Sequence, residues 1–228
     1  MKQIEKNTVA AENQLAGVEH VSFQNRNGTG VRVLFVGNSI TRHAPASEVG
    51  WERDCGMAAS APEKDYLHLL MQKFRKTDPE AAFCICQAAD WERNYRHGSE
   101  TYPLYAAARD FRADVIFFRL IENCPRKDFD GEAFRREYAA FIDYLNPTGK
   151  AIVILSSGFW KHEGDAVIWA AAVDRGYPFV SLGDLGETDE MKAIGLFEHT
   201  GVANHPGDRG MEAIAERLWN ALGKEPNL

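Results

Sequence analysis

The chain has 228 residues, 45% of them hydrophobic and 26% charged, with a formal net charge of −7 and a pI near 5.5. These values suit one sizeable globular α/β domain and lack the basic footprint of a nucleic-acid binder. No apolar stretch approaches the roughly 18 residues of a spanning helix, so neither nucleic acid nor a membrane span is expected.

Residues 1–30 read as a polar N-terminal lead-in ending in the turn-rich QNRNGTG, with VEHVSF (18–23) as a candidate extra strand. The opening residues have no apolar h-region, so no secretory signal is expected. The cysteines are Cys55, Cys84, Cys86 and Cys124. They form no C-x-x-C pair and no zinc-type spacing with histidine, which points to a reducing cytoplasm.

From residue 31 the chain alternates. VRVLFV (31–36) reads as a buried strand, and EKDYLHLLMQKF (63–74) as a helix with Tyr66, Leu67, Leu70 and Phe74 on one face. AAFCICQ (81–87) is strand-like, SETYPLYAAARDF (99–111) a helix interrupted early by Pro103, and ADVIFFRL (113–120) a strand. GEAFRREYAAFIDYLN (131–146) places Phe134, Tyr138, Phe141 and Leu145 in one helical stripe. Then come strand KAIVILSS (150–157), helix DAVIWAAAVDRG (165–176), strand PFVSLG (178–183) and helix MEAIAERLWNAL (211–222). Five apolar strands separated by amphipathic helices predict a mostly parallel five-stranded sheet covered on both faces. Residues 31–228 are read as a single domain. The longest helix-free connection, residues 40–62, follows the first of these strands, at the carboxyl edge where open α/β sheets bind ligands.

That edge begins at FVGNSITRH (35–43), where an apolar strand stops on Gly37, Asn38 and Ser39. Neither G-x-G-x-x-G nor G-x-x-x-x-G-K-[ST] occurs there, and the stretch is not a G-x-S-x-G elbow. No H-E-x-x-H occurs anywhere, and no cofactor or metal is expected. Ser39 either caps a helix or is presented as a nucleophile, and a nucleophile needs a base and preorganised oxyanion donors. His205 lies in NHPGDRGM just before the last helix, with Pro206 suited to the helix start. Asn123 lies in IENCP just past ADVIFFRL, again at the carboxyl edge, with a side-chain amide able to donate to an oxyanion. Each of the two, taken alone, also reads as an ordinary turn residue.

Taken together, and in the order Ser39, Asn123, His205, these residues resemble the SGNH hydrolases, also called GDSL-like lipases and esterases. GNSIT resembles their first sequence block, IENC (121–124) the third, and NHPGDRGM the fifth, across residues 31–222. Three departures stand out. Ile121 and Cys124 replace the outer residues of Gly-x-Asn-Asp, QAADWER (87–93) lacks the second-block glycine, and Val202 stands where Asp-x-x-His would place an acid.

The resemblance implies a flavodoxin-like three-layer α/β/α sandwich. It also implies an esterase that cleaves a small acyl ester, with a carbohydrate acetyl ester among the candidates. In that reading Ser39 attacks the carbonyl and His205 carries the proton to the leaving alkoxide. The Ser39 amide, Asn123 and an amide near Ala89 hold the oxyanion. Trp51, in the long loop, lines the substrate pocket or packs beneath it. Glu198 in LFEHTGVANH is the candidate side-chain partner of His205; the alternatives are a backbone carbonyl that orients the ring and leaves a Ser39–His205 dyad, and an acid elsewhere in the chain. Asp208 is expected to serve the first helical amides instead. The rival reading is a non-catalytic ligand-binding domain on the same fold.

Overall fold

A strand whose two faces are both apolar is stable only between two layers, and RVLFVG meets that condition. A computed structural model describes residues 20–223 of the chain. Most of the N-terminal lead-in and the start of VEHVSF lie outside the described residues. The strands are β1 (Val21–Gln24), β2 (Arg32–Gly37), β3 (Ala82–Gln87), β4 (Val115–Phe118), β5 (Ile152–Ser156) and β6 (Phe179–Val180). They form one six-stranded sheet in the order β1-β3-β2-β4-β5-β6. The five expected strands are parallel, and the sixth member is VSFQ of the lead-in, which adds antiparallel to β3 at the edge.

The helices are α1 (Tyr66–Thr77), α2 (Ala89–Arg93), α3 (Ala106–Asp110), α4 (Gly131–Leu145), α5 (Asp165–Arg175), α6 (Thr200–Ala203) and α7 (Asp208–Leu222). The 99–111 stretch is not one helix. It runs as 3₁₀ turns to Tyr105 and becomes α-helical only at Ala106, because Pro103 has no N–H for an α-helical hydrogen bond. Side-chain alternation along the strands splits the core in two. Leu34, Val36, Ile116 and Phe118 face Trp91, Phe134, Tyr138 and Phe141 on one side of the sheet. Val33, Phe35, Val115 and Phe117 face Leu67, Leu70, Phe74, Ile214 and Leu218 on the other. The result is a three-layer α/β/α sandwich.

The parallel strands run in the flavodoxin-like order, so β2 lies where the chain reverses direction across the sheet. The connection leaving β2 runs to β3 on one side and the connection leaving β4 runs to β5 on the other, which opens a crevice at the carboxyl ends of β2 and β4. Gly37 ends β2 at this point. A Cβ on Gly37 would lie 1.8 Å from Thr41 Oγ1 and 2.8 Å from Thr41 Cβ, and Thr41 is held by a 2.7 Å hydrogen bond to the Tyr66 hydroxyl. The turn thus closes on its own strand only if residue 37 has no side chain. Gly37→Ala is expected to lower stability by about 1–3 kcal/mol, the usual cost of overpacking, read as a shift in the urea unfolding midpoint.

Candidate active site

The turn after Gly37 is built by Asn38. Its carbonyl accepts the Thr41 and Arg42 amides at 2.9 Å each, and its side-chain oxygen accepts the Ile40 amide at 3.3 Å. No helix starts at this turn, so Ser39 caps none. The Ser39 carbonyl accepts the Met57 amide at 2.9 Å, which ties the turn to the long loop behind it. Its own N–H has no acceptor among the described residues, and its side chain is half-buried at the crevice.

His205 reaches the crevice from the other end of the chain. Helix α6 ends just before it, the His205 amide donates to the Val202 carbonyl, and the Ala193 amide donates to the His205 carbonyl, both at 2.9 Å. Ser39 Oγ and His205 Nε2 are 2.9 Å apart. The other ring nitrogen, Nδ1, is 2.7 Å from the Gly201 carbonyl oxygen. A carbonyl only accepts, so Nδ1 carries the hydrogen and Nε2 of the neutral ring presents a lone pair to the serine hydroxyl. Trp160 packs edge-on against the imidazole, with ring centroids 5.1 Å apart, and fixes its plane. Burial, joined by the charge of His43, pushes the His205 pKa down to about 4, against the pull of the Gly201 carbonyl.

The place expected for Glu198 is thus taken by a backbone carbonyl. Glu198 is exposed and makes no hydrogen bond to the ring. Asp208 does not serve its helix either. Its carboxylate accepts the Ser60 amide at 2.8 Å and the Ser60 hydroxyl at 2.6 Å, tying the start of α7 to the long loop. Trp51 is completely buried and donates its indole N–H to the His43 carbonyl at 3.0 Å. It packs with Cys55, Met57, Ala193 and Val202 in a small third core beneath the site. It is therefore a packing residue and not a pocket wall. The Ala89 amide faces Gln87 Oε1 at 3.2 Å, so an oxyanion would have to compete for it.

Asn123 stands at the carboxyl end of β4, and its amide donates to Glu92 Oε2 at 2.6 Å. That contact leads into a buried polar cluster that the sequence reading did not assemble. Arg119 donates to Asn38 Oδ1 at 2.7 Å and to Glu122 Oε1. Asn38 Nδ2 donates to Glu122 Oε2 at 2.7 Å and to Glu92 Oε1 at 3.0 Å. The Ile121 amide also donates to Glu92, at 2.6 Å, and the Phe159 amide to Glu122, at 3.0 Å. Burial works against both carboxylates. Arg119, with the Phe159 amide and Asn38, outweighs it for Glu122, whose pKa lies below the ordinary carboxylate value. Glu92 lacks that cation, and burial together with the Glu122 charge pushes it up to about 7. The one available signal for this cluster was Arg119 itself, a cation at the end of an apolar strand run, which needs buried partners.

No family model matches the sequence, and no curated protein sequence matches it. Solved structures do. The psychrotrophic esterase EstA from Pseudoalteromonas sp. superposes with a TM-score of 0.56 at 11% identity, over 86% of this chain and 98% of that one. The acetyl xylan esterase AlAXEase gives 0.54 at 17% identity, over 84% and 100%. A protein assigned to the lipolytic G-D-S-L family from Desulfitobacterium hafniense gives 0.52 at 13%, over 84% and 99%. At these identities the shared property is the fold, the one the GNSIT, IENC and NHPGDRGM resemblance implied.

Two outcomes follow from the imidazole geometry. If His205 is the base it acts only when neutral, so its own protonation should remove turnover, tenfold per pH unit, as pH falls through about 4, below any step that Glu92 contributes near 7. A histidine at its unperturbed pKa would lose it near 6.5, and a pH profile of kcat/KM separates the two. Glu198→Gln should leave that profile and the rate unchanged, whereas removal of a triad carboxylate lowers turnover about 10⁴-fold.

Proposed function

We propose that the protein is a serine esterase that cleaves a small acyl ester through a Ser39–His205 dyad. The observation that carries this reading is the 2.9 Å contact between Ser39 Oγ and His205 Nε2, with Nδ1 held by the Gly201 carbonyl. The fold shared with the three proteins above supports it.

In this mechanism Ser39 Oγ attacks the acyl carbonyl as its proton passes to Nε2. The negative oxygen that results is held by the Ser39 N–H and by the Asn123 amide hydrogen not engaged by Glu92. The Nε2 proton then goes to the departing alkoxide and leaves an acyl-Ser39. Water, deprotonated by the same nitrogen, releases the acid and restores the hydroxyl. The Gly201 carbonyl faces the imidazolium formed on the way and supplies a dipole where a carboxylate would supply a charge.

The alcohol part of the substrate is inferred to be polar. Beside the nucleophile turn, at the carboxyl end of β3, lies a depression of about 200 Å³ whose lining includes His20, His43, Gln87, Asp90 and Arg93. These side chains offer donors and acceptors that can meet hydroxyl groups, which supports an acetylated carbohydrate as the substrate. AlAXEase, as an acetyl xylan esterase, is a fold neighbour with that kind of substrate. No helix among the described residues is long and apolar enough to cross a membrane.

The test is a panel of nitrophenyl esters of increasing acyl length together with fluorophosphonate labelling. Acetate should be turned over fastest and the label should be taken up. Ser39→Ala should abolish labelling and lower turnover on the order of 10⁶-fold, as loss of a serine nucleophile does. Unlabelled wild-type protein would instead indicate a binding domain on this fold.

A further inference from the structure

An oxyanion donor is useful only if its hydrogen is aimed before the charge develops. Asn123 sits in a turn past β4, outside any strand or helix that would aim it. Its partner, Glu92, is completely buried and belongs to α2, a different segment of the chain. The Glu92 carboxylate gathers three N–H groups: Asn123 Nδ2 on Oε2, and the Ile121 amide and Asn38 Nδ2 on Oε1. The first belongs to the oxyanion candidate itself, the second lies two residues before it, and the third belongs to the residue next to the nucleophile.

We infer that Glu92 is a positioning residue, whose carboxylate fixes the Asn123 amide and the Ser39 turn to one common anchor. The inference rests on the serine-esterase reading above. A carboxylate suits this task because it is acceptor-only on both oxygens. A glutamine there has one accepting oxygen and one NH₂ group, and cannot accept on both sides. With its oxygen kept on the Ile121 backbone amide, its NH₂ would face Asn123 Nδ2, donor against donor, and turn the amide away. The cluster also shows that Glu92 is not there to neutralise Arg119, since the guanidinium donates to Glu122 and Asn38. A buried carboxylate without its own counter-ion is costly, and the three N–H groups it orders are what it provides.

The experiment is a double-mutant cycle with Glu92→Gln and Asn123→Ala, read as kcat and KM on nitrophenyl acetate at pH 8, where Glu92 is ionised. Glu92→Gln alone should lower kcat by up to the roughly 10²–10³-fold that one oxyanion donor contributes, with KM within about threefold of wild type. In the Asn123→Ala background the same substitution should change kcat by less than about twofold, because the donor it aims is already gone. A full additional loss in the double mutant, a loss carried by KM, or an unchanged kcat in Glu92→Gln would overturn the inference. If thermal melting shows that Glu92→Gln does not fold, Glu92→Asp replaces it. That variant keeps the charge but withdraws the oxygens by one methylene, and the same non-additivity is required. Ser39→Ala is run alongside. If it retains turnover the esterase reading falls and this inference with it, whereas an inactive Ser39→Ala beside a fully active Glu92→Gln removes the inference alone.

Discussion

A guanidinium ion completely buried at the end of β4 sets the terms for everything around it. Arg119 cannot lose its proton and cannot reach water, so its charge must be met by groups held in place. Glu122 supplies the charge, the Asn38 side chain supplies an acceptor, and the Tyr66 ring lies beneath it, 5.8 Å from the guanidinium carbon to the centroid. Asn38 then has its remaining donors spoken for by two carboxylates, which fixes the turn that carries Ser39. Breaking one partner from such a buried pair typically costs about 3–5 kcal/mol. The turn that carries Ser39 is thus held in place for electrostatic reasons.

The sheet gives this cluster its location. Because the strand order reverses between β2 and β4, their carboxyl ends are neighbours and the chain leaves them toward opposite sides of the sheet, which opens a crevice. Ser39 leaves from one of these strands and Asn123 from the other. His205 comes from the approach to α7, which packs on the Phe35 and Phe117 face of the sheet. Ser39 and His205, from remote parts of the sequence, therefore meet at the carboxyl edge of the sheet, and Asn123 joins the buried cluster beside them through Glu92.

Much of this was legible in the residues. Strands such as RVLFVG and VIFF are apolar on both faces, and stripes such as Phe134, Tyr138 and Phe141 are periodic, so layers and order could be read directly. Ser39 and His205 could be singled out only together with Asn123, through their order and the resemblance of their sequence blocks, since each alone also reads as a cap or turn residue. What was not legible was pairing. Nothing in LFEHTGVANH distinguishes the Glu198 carboxylate from the Gly201 carbonyl as the partner of the ring, since a backbone acceptor leaves no trace in residue identity. Glu92 was equally silent, an acidic residue in QAADWER that nothing in the sequence marks as buried. Trp51 sat between two readings because an aromatic residue in a long loop suits a pocket wall and a packing core alike. Its indole N–H on the His43 carbonyl decides for the core.

The small core around Trp51 has a consequence for how the site comes into being. It joins residues 51–58, just behind the nucleophile, to Ala193 and Val202, just ahead of the histidine. The contact it supports closes a loop of 166 residues. Contacts of such long range are entropically expensive to form early and contribute little until most of the chain is in place. The sheet and its first helices can assemble around β2 with the serine already in its turn, yet without a base beside it. Under the proposed Ser39–His205 reading, the two groups meet only once the last quarter of the chain has docked.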